Sequence, residues 1–161
     1  MRHFIYILIL FSFSLTSCVT SKQAAQRKSE KEAKELIKYA KQYINVPYSY
    51  GGTSPKGFDC SGYVQFVYKN FGYELPRTSQ DQGKFGEKVD KKKLKTGDLV
   101  FFKGKNNKSK KVGHVGIVVN ADKGKFDFIH ASSSSGVKIN NSELQYYKSR
   151  YVKARRIIKN Q

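Results

Sequence analysis

Phe58-Asp59-Cys60-Ser61-Gly62-Tyr63-Val64-Gln65-Phe66-Val67-Tyr68-Lys69-Asn70-Phe71-Gly72 reads as one short helix with a marked start and a marked end. Asp59 is placed as an N-cap, because a short carboxylate side chain can accept from the free N–H groups of a first turn. Val64, Val67 and Phe71 follow at helical spacing, and Gly72 closes the run. Cys60 therefore falls where a helix begins, and there the positive end of the helix dipole and unpaired N–H groups favour a thiolate. The thiolate is the nucleophilic form, so the placement suits a catalytic cysteine. The alternative is a small core cysteine, since free cysteines are among the most buried residue types. Glycines at 51, 52, 57 and 62 permit tight turns and close backbone approach around the thiol.

Upstream, Ala33, Leu36, Ile37, Ala40, Tyr43 and Ile44 recur at helical spacing, which predicts an amphipathic helix over 30–46, ended by Pro47. Residues 48–57 are rich in turn formers and read as a loop. Downstream, after a polar stretch holding Pro76 and Gly83, β-type runs alternate with turns: 98–103, 113–120, 125–131, 136–140 and 151–158. Helices first and strands afterwards predict an α+β domain, with the helices packed on one side of an antiparallel sheet. The sequence shows no internal repeat, and 30–161 is long enough to bury one real core.

The 161-residue chain opens with a positive Arg2 and an apolar run over 4–11 that thins into Ser12 and Ser14. A membrane-spanning helix needs about 20 apolar residues, so this shorter run reads as a cleaved export signal. Leu15-Thr16-Ser17-Cys18 resembles the lipobox of bacterial lipoproteins. Residues 1–17 are then removed, Cys18 carries lipid, 18–29 form a polar linker, and 30–161 are the domain. Two or more acyl chains give stable membrane attachment. Val19 and Thr20 lack the aspartate that retains some lipoproteins in the inner membrane, which favours the periplasmic face of an outer membrane in a cell that has one. The alternative for an exported protein with two cysteines is a Cys18–Cys60 disulfide. With Cys18 lipidated, Cys60 is a lone free thiol.

Net charge is +19, and +18 once Arg2 leaves with the signal. Such a field favours polyanions in general. Export, scattered lysines and the lack of an aromatic-interleaved basic stripe argue against nucleic acid, leaving anionic lipid, an acidic wall polymer or simple solubility.

A nucleophilic thiol needs a base. After loss of His3 the chain has two histidines, His114 and His130, each on a predicted strand. Alternation turns His114 to the face of Gly116 and Val118. Neighbouring antiparallel strands could set the two imidazoles side by side, one orienting the other. For either histidine alone a structural role is the competing reading. A zinc site from Cys60, the two histidines and Asp59 is disfavoured, because the close paired spacing of zinc motifs is missing.

The ordered blocks Val46-Pro47-Tyr48, Gly51-Gly52, Asp59-Cys60-Ser61-Gly62, Leu75-Pro76-Arg77, Gly97-Asp98-Leu99-Val100-Phe101-Phe102, His114-Val115-Gly116-Ile117 and Phe128-Ile129-His130-Ala131-Ser132 closely resemble the NlpC-type cell-wall peptidases. The likeness runs from around Ala33 to the C-terminus. It implies a papain-like fold in which Cys60 attacks an amide carbonyl, His114 takes and returns the proton, and His130 is the polar third member. It further implies that the Tyr48 hydroxyl lies near the thiol and helps the Cys60 N–H bind the oxyanion. Asp59 and Ser61, flanking the nucleophile, are expected at the substrate, with N-capping as the alternative for Asp59. The implied substrate is the stem peptide of peptidoglycan, with no metal or other cofactor, and a monomer is expected. Members of the family cut either cross-links between D-configured centres or the stem after D-glutamate, and the likeness favours the cross-link. The rival readings are a wall-binding lipoprotein without activity, and an amidase or acyltransferase acting on a wall peptide.

Overall fold

The computed structural model describes residues 2–104, 109 and 111–159, with side chains from Ser21 onward. The Cys18 side chain, the expected lipid site, lies outside the described residues. The elements run α1 (Arg2–Lys41), β1 (Thr53–Ser54), β2 (Gly57–Phe58), α2 (Cys60–Lys69), α3 (Ser79–Gln82), β3 (Glu87–Val89), a single 3-10 turn at Lys91–Lys93, β4 (Leu99–Lys103), β5 (Val112–Asp122), β6 (Lys125–Ser132), β7 (Gly136–Asn141), α4 (Gln145–Lys148) and β8 (Tyr151–Arg156).

Helix α1 departs from its pattern at both ends. It runs back through the stretch read as a linker, because Lys22, Gln23, Ala24, Ala25, Gln26, Arg27 and Lys28 are good helix formers with no glycine or proline among them. Residues 19–29 thus span about 16 Å as helix, against the 36 to 40 Å or so of an extended tether. At the other end it stops at Lys41, ahead of turns in which Asn45 takes a positive φ of 72°. Ala33, Leu36, Ile37 and Ala40 are buried as the periodicity requires, whereas Ile44, past the helix, is 37% exposed.

Helix α2 begins as its sequence predicts. Asp59 is extended (φ −87°, ψ 174°), and its Oδ1 accepts from the Gly62 N–H at 2.6 Å. Gly62 has to be glycine: a Cβ there would sit 2.1 Å from the Gly52 carbonyl oxygen. This contact lets the β1–β2 hairpin lie directly on the start of the helix.

The six-stranded antiparallel sheet has the order β3-β8-β4-β5-β6-β7, so β5 and β6, the two histidine strands, are neighbours. Two further expectations are corrected. The last strand ends at Arg156, and Ile157 and Ile158 are buried beyond it without pairing. The short edge strand β3 has exposed residues and no alternation to reveal it. Helices α1 and α2 pack on one face of the sheet, as expected, and the other face is covered as well. Leu99 and Phe101 face the α1–α2 side, with Leu36, Val64, Val115 and Ile129. Val100 and Phe102 face a smaller core with Leu94, Val118, Phe126 and Phe128, against which Tyr147 and Tyr151 pack. The unbroken apolar run of β4 is what a strand buried on both faces needs.

Candidate active site

Cys60 at the start of α2, Tyr48, His114 near the start of β5 and His130 on β6 line one cleft of about 480 Å³. The cleft is also lined by Phe102, Lys103, Ser132 to Ser135, Lys138, Asn140, Tyr146 and Tyr147, with no carboxylate among the described residues. The N–H groups of Val115, Ser61 and Cys60 itself point to the sulfur and favour the thiolate. They do not prevail. Burial first, and then the negative charge of Asp59, hold the Cys60 thiol above its ordinary pKa. The thiolate expected from helix-start placement is therefore corrected to a resting neutral thiol.

The base side is neutral as well. His114 Nε2 and His130 Nδ1 are 2.8 Å apart, with the rings nearly perpendicular. Burial, and then the neighbouring His130, push His114 down to about 3. Burial, reinforced by the Lys138 cation and opposed by the hydrogen bond to Asn140, pushes His130 down to about 4. Gly116 makes room for the pair: a Cβ there would lie 2.6 Å from the Phe128 ring and 3.2 Å from the His130 Cβ. Behind them, His130 Nε2 lies 2.9 Å from Asn140 Oδ1.

Asp59 and Ser61, expected at the substrate, are buried and stand outside the lining of this cleft. The Asp59 carboxylate is spent inside the protein. It accepts from the N–H groups of Gly51 and Gly62, from the Ser61 hydroxyl, and from both terminal nitrogens of Arg77. Burial raises its pKa, but Arg77, the Gly62 N–H and Ser61 outweigh that and hold it below the usual range. Arg77 also donates to Ser61 Oγ at 3.1 Å. These residues lock the loop that carries the nucleophile. Tyr48, paired to Phe58 in an isolated bridge, does face the cleft. Burial, and then the charges of Cys60 and Asp59, raise its pKa, so it stays a hydroxyl donor.

The sequence reading assigned no role to Arg77, Asn140, Tyr147 or Lys138. Arg77 stands in a block that carried the family likeness, which was the available signal. Asn140 looked like a turn residue closing a strand. Among the described residues no three His, Cys, Asp or Glu side chains converge as metal ligands would.

Chemically this is the arrangement of a cysteine hydrolase: a nucleophile, a base, and a partner that holds the base in place. More narrowly, the chain belongs to the NlpC/P60 family, whose model matches residues 45–156. It is 37% identical over 154 residues to the murein DD-endopeptidase MepS/murein LD-carboxypeptidase of Escherichia coli K12, covering 89% of this chain and 78% of that one. It is 40% identical over 116 residues to the probable endopeptidase NlpC of the same organism, covering 70% of each. Among solved structures, an NlpC/P60 family protein from Bacillus cereus superposes with a TM-score of 0.72 at 35% identity, over 79% of this chain and 40% of the other.

Proposed function

We propose that the protein is a peptidoglycan endopeptidase that hydrolyses amide bonds of wall stem peptides, and their cross-links in particular. The observation that carries this is a helix-borne thiol and a hydrogen-bonded imidazole pair lining one cleft. The name of the Escherichia coli relative, a murein DD-endopeptidase, supports the cross-link as the bond cut. In the reaction His114 takes the thiol proton as Cys60 attacks the carbonyl. The oxyanion accepts from the Cys60 N–H and the Tyr48 hydroxyl, and His114 then protonates the leaving amine. Water, deprotonated by the same imidazole, hydrolyses the thioester. Because thiol and imidazole both rest neutral, the proton moves during attack rather than before it.

The same reading places the protein in the cell envelope as a monomer. Residues 1–17 act as an export signal, Cys18 as the lipid anchor and 18–29 as a helical stand-off, on the periplasmic face of an outer membrane in a cell that has one. Mass spectrometry of muropeptides of defined linkage, digested with intact protein and with Cys60→Ala, tests the enzymatic part. Monomers released from cross-linked dimers only by the intact protein support it. Release of the peptide from the glycan would make it an amidase, and no release by either would leave a wall-binding protein. Metabolic labelling with a fatty acid, lost in Cys18→Ala, tests the anchor.

A further inference from the structure

Two polarities are open to a pair of neutral imidazoles joined by one hydrogen bond, and one of them is useless. If His114 Nε2–H donates to His130 Nδ1, then Nδ1 of His114 keeps its lone pair for the thiol. If His130 Nδ1–H donates instead, His114 Nδ1 carries the proton and the ring cannot act as a base. The pair contains nothing that chooses between the two, so the choice comes from what holds the far nitrogen, His130 Nε2.

That nitrogen meets Asn140 Oδ1 at 2.9 Å. The same oxygen accepts from the Tyr147 hydroxyl at 3.2 Å, and this hydroxyl also lies 3.3 Å from His130 Nε2. Tyr147 is held edge-on against Phe102 and Phe128 in the smaller core. Burial pushes its pKa up to about 12, so it is a phenol with a proton to give throughout the working range. An amide oxygen can only accept. With Tyr147 donating to it, Asn140 presents an acceptor to His130, and His130 Nε2 must carry the proton.

We propose that Asn140 and Tyr147 are positioning residues that set the direction of the imidazole pair, keeping His130 as the Nε2–H tautomer and thereby leaving the lone pair of His114 Nδ1 free to act as the base in the cleft that Cys60 also lines. Resting on the cysteine-peptidase reading, this makes the third group of the site a three-residue unit, with the phenol fixing the amide and the amide fixing the ring. When His114 accepts the thiol proton it becomes an imidazolium whose Nε2–H still donates to His130, and that proton leaves again with the amine. No proton passes beyond His114. The charged and titratable groups that share the cleft with the two histidines are Lys138 from β7, Lys103 from β4, Cys60 from α2, Tyr146 and Tyr147 from α4, and Tyr48 from the loop ahead of β1. Among the described residues lining the cleft there is no carboxylate, and the acceptor nearest His130 Nε2 is the Asn140 amide oxygen at 2.9 Å, ahead of the Tyr147 hydroxyl at 3.3 Å.

The test uses the whole chain. Asn140→Leu removes the acceptor, Asn140→Asp restores it with a charge, and Tyr147→Phe removes the phenol. Asn140→Leu should lower kcat by about 10- to 100-fold, the usual loss when a group orienting a functional histidine is removed, with KM nearly unchanged. Asn140→Asp should recover kcat and move the acid limb of kcat/KM upward, because a carboxylate stabilises the imidazolium that forms. Tyr147→Phe should fall between wild type and Asn140→Leu. Equal losses in the Leu and Asp variants, or a wild-type rate in Asn140→Leu, would overturn the proposal. Nitrogen-15 spectra of the histidine rings separate this outcome from failure of the enzymatic reading, since they need no turnover. Both rings should be protonated at Nε2 in the intact protein. An Nδ1–H tautomer on either would overturn the proposal whether or not wall peptides are cut.

Discussion

The two halves of the cleft are built on opposite electrostatic plans. Around the nucleophile, a buried carboxylate and a guanidinium are locked together, with Asp59 accepting from Arg77, Ser61 and two backbone N–H groups. Around the base, the three linked side chains His114, His130 and Asn140 are neutral, joined by single hydrogen bonds of 2.8 and 2.9 Å. Charge gives the first half rigidity, since ionic hydrogen bonds are roughly twice as strong as neutral ones. It is absent from the second half, where a fixed anion would raise the pKa of the imidazoles and carry the acid limb of activity toward neutral pH. The Asp59 charge has a cost as well, because it helps to hold the Cys60 thiol in its neutral form. Rigidity of the nucleophile's loop and readiness of the thiol therefore pull against each other.

The sharpest way to break this comparison is to remove one chemical group from each half. Cys60→Ala and His114→Ala should each abolish turnover of wall peptides while circular dichroism and melting stay near wild type; residual activity equal to wild type in either variant refutes the site. Next comes Tyr48→Phe, where losing an oxyanion donor should lower kcat by about 10² to 10³-fold, and an unchanged kcat removes Tyr48 from the mechanism. A smaller effect, on stability, comes from Asp59→Ala. It removes the α2 cap and leaves Arg77 without its carboxylate, so urea unfolding should report a loss of about 1 to 2 kcal/mol. Asn140→Leu, on the neutral half, should unfold close to wild type.

Acid should act through the base side. His114 and His130 have folded pKa values of about 3 and about 4, below the 6.5 of a free histidine. Between these values the unfolded chain binds more protons than the folded one, so stability is full above about pH 6.5 and is lost as pH falls toward 3. Melting temperature measured against pH should show this slope, and His130→Gln should flatten it; an unchanged slope would mean that His130 is not neutral in the fold. For the same reason kcat/KM should be level through the neutral range, with no limb near 6.5.

Legibility in the sequence followed how each element is buried. Helix α2 and strands β4 to β7 carry buried faces or runs that leave a periodic trace, and their limits came within two residues of those observed. Residues 21–29 of α1 bury little, so this stretch owes its helical character to propensity and was read as part of a linker. At the site, Cys60 and the two histidines were legible as residue types that need one another. Asn140 was not, because an asparagine at a strand end is an ordinary turn residue until the β6–β7 register carries it to His130. Arg77 is similar: its partner Asp59 lies 18 positions away, and only the folded loop joins them.

The smaller core on the far face of the sheet has a consequence for how this protein fails. Tyr147 sits on α4, four residues long and with no side-chain cap at its start, and the relay leans on the aromatic cluster beneath it. Such a satellite can open on its own while the larger α1–α2 core stays closed. Warming should therefore silence the hydrolase before it melts, leaving a chain that still looks native by helix content but whose general base has lost its bearing.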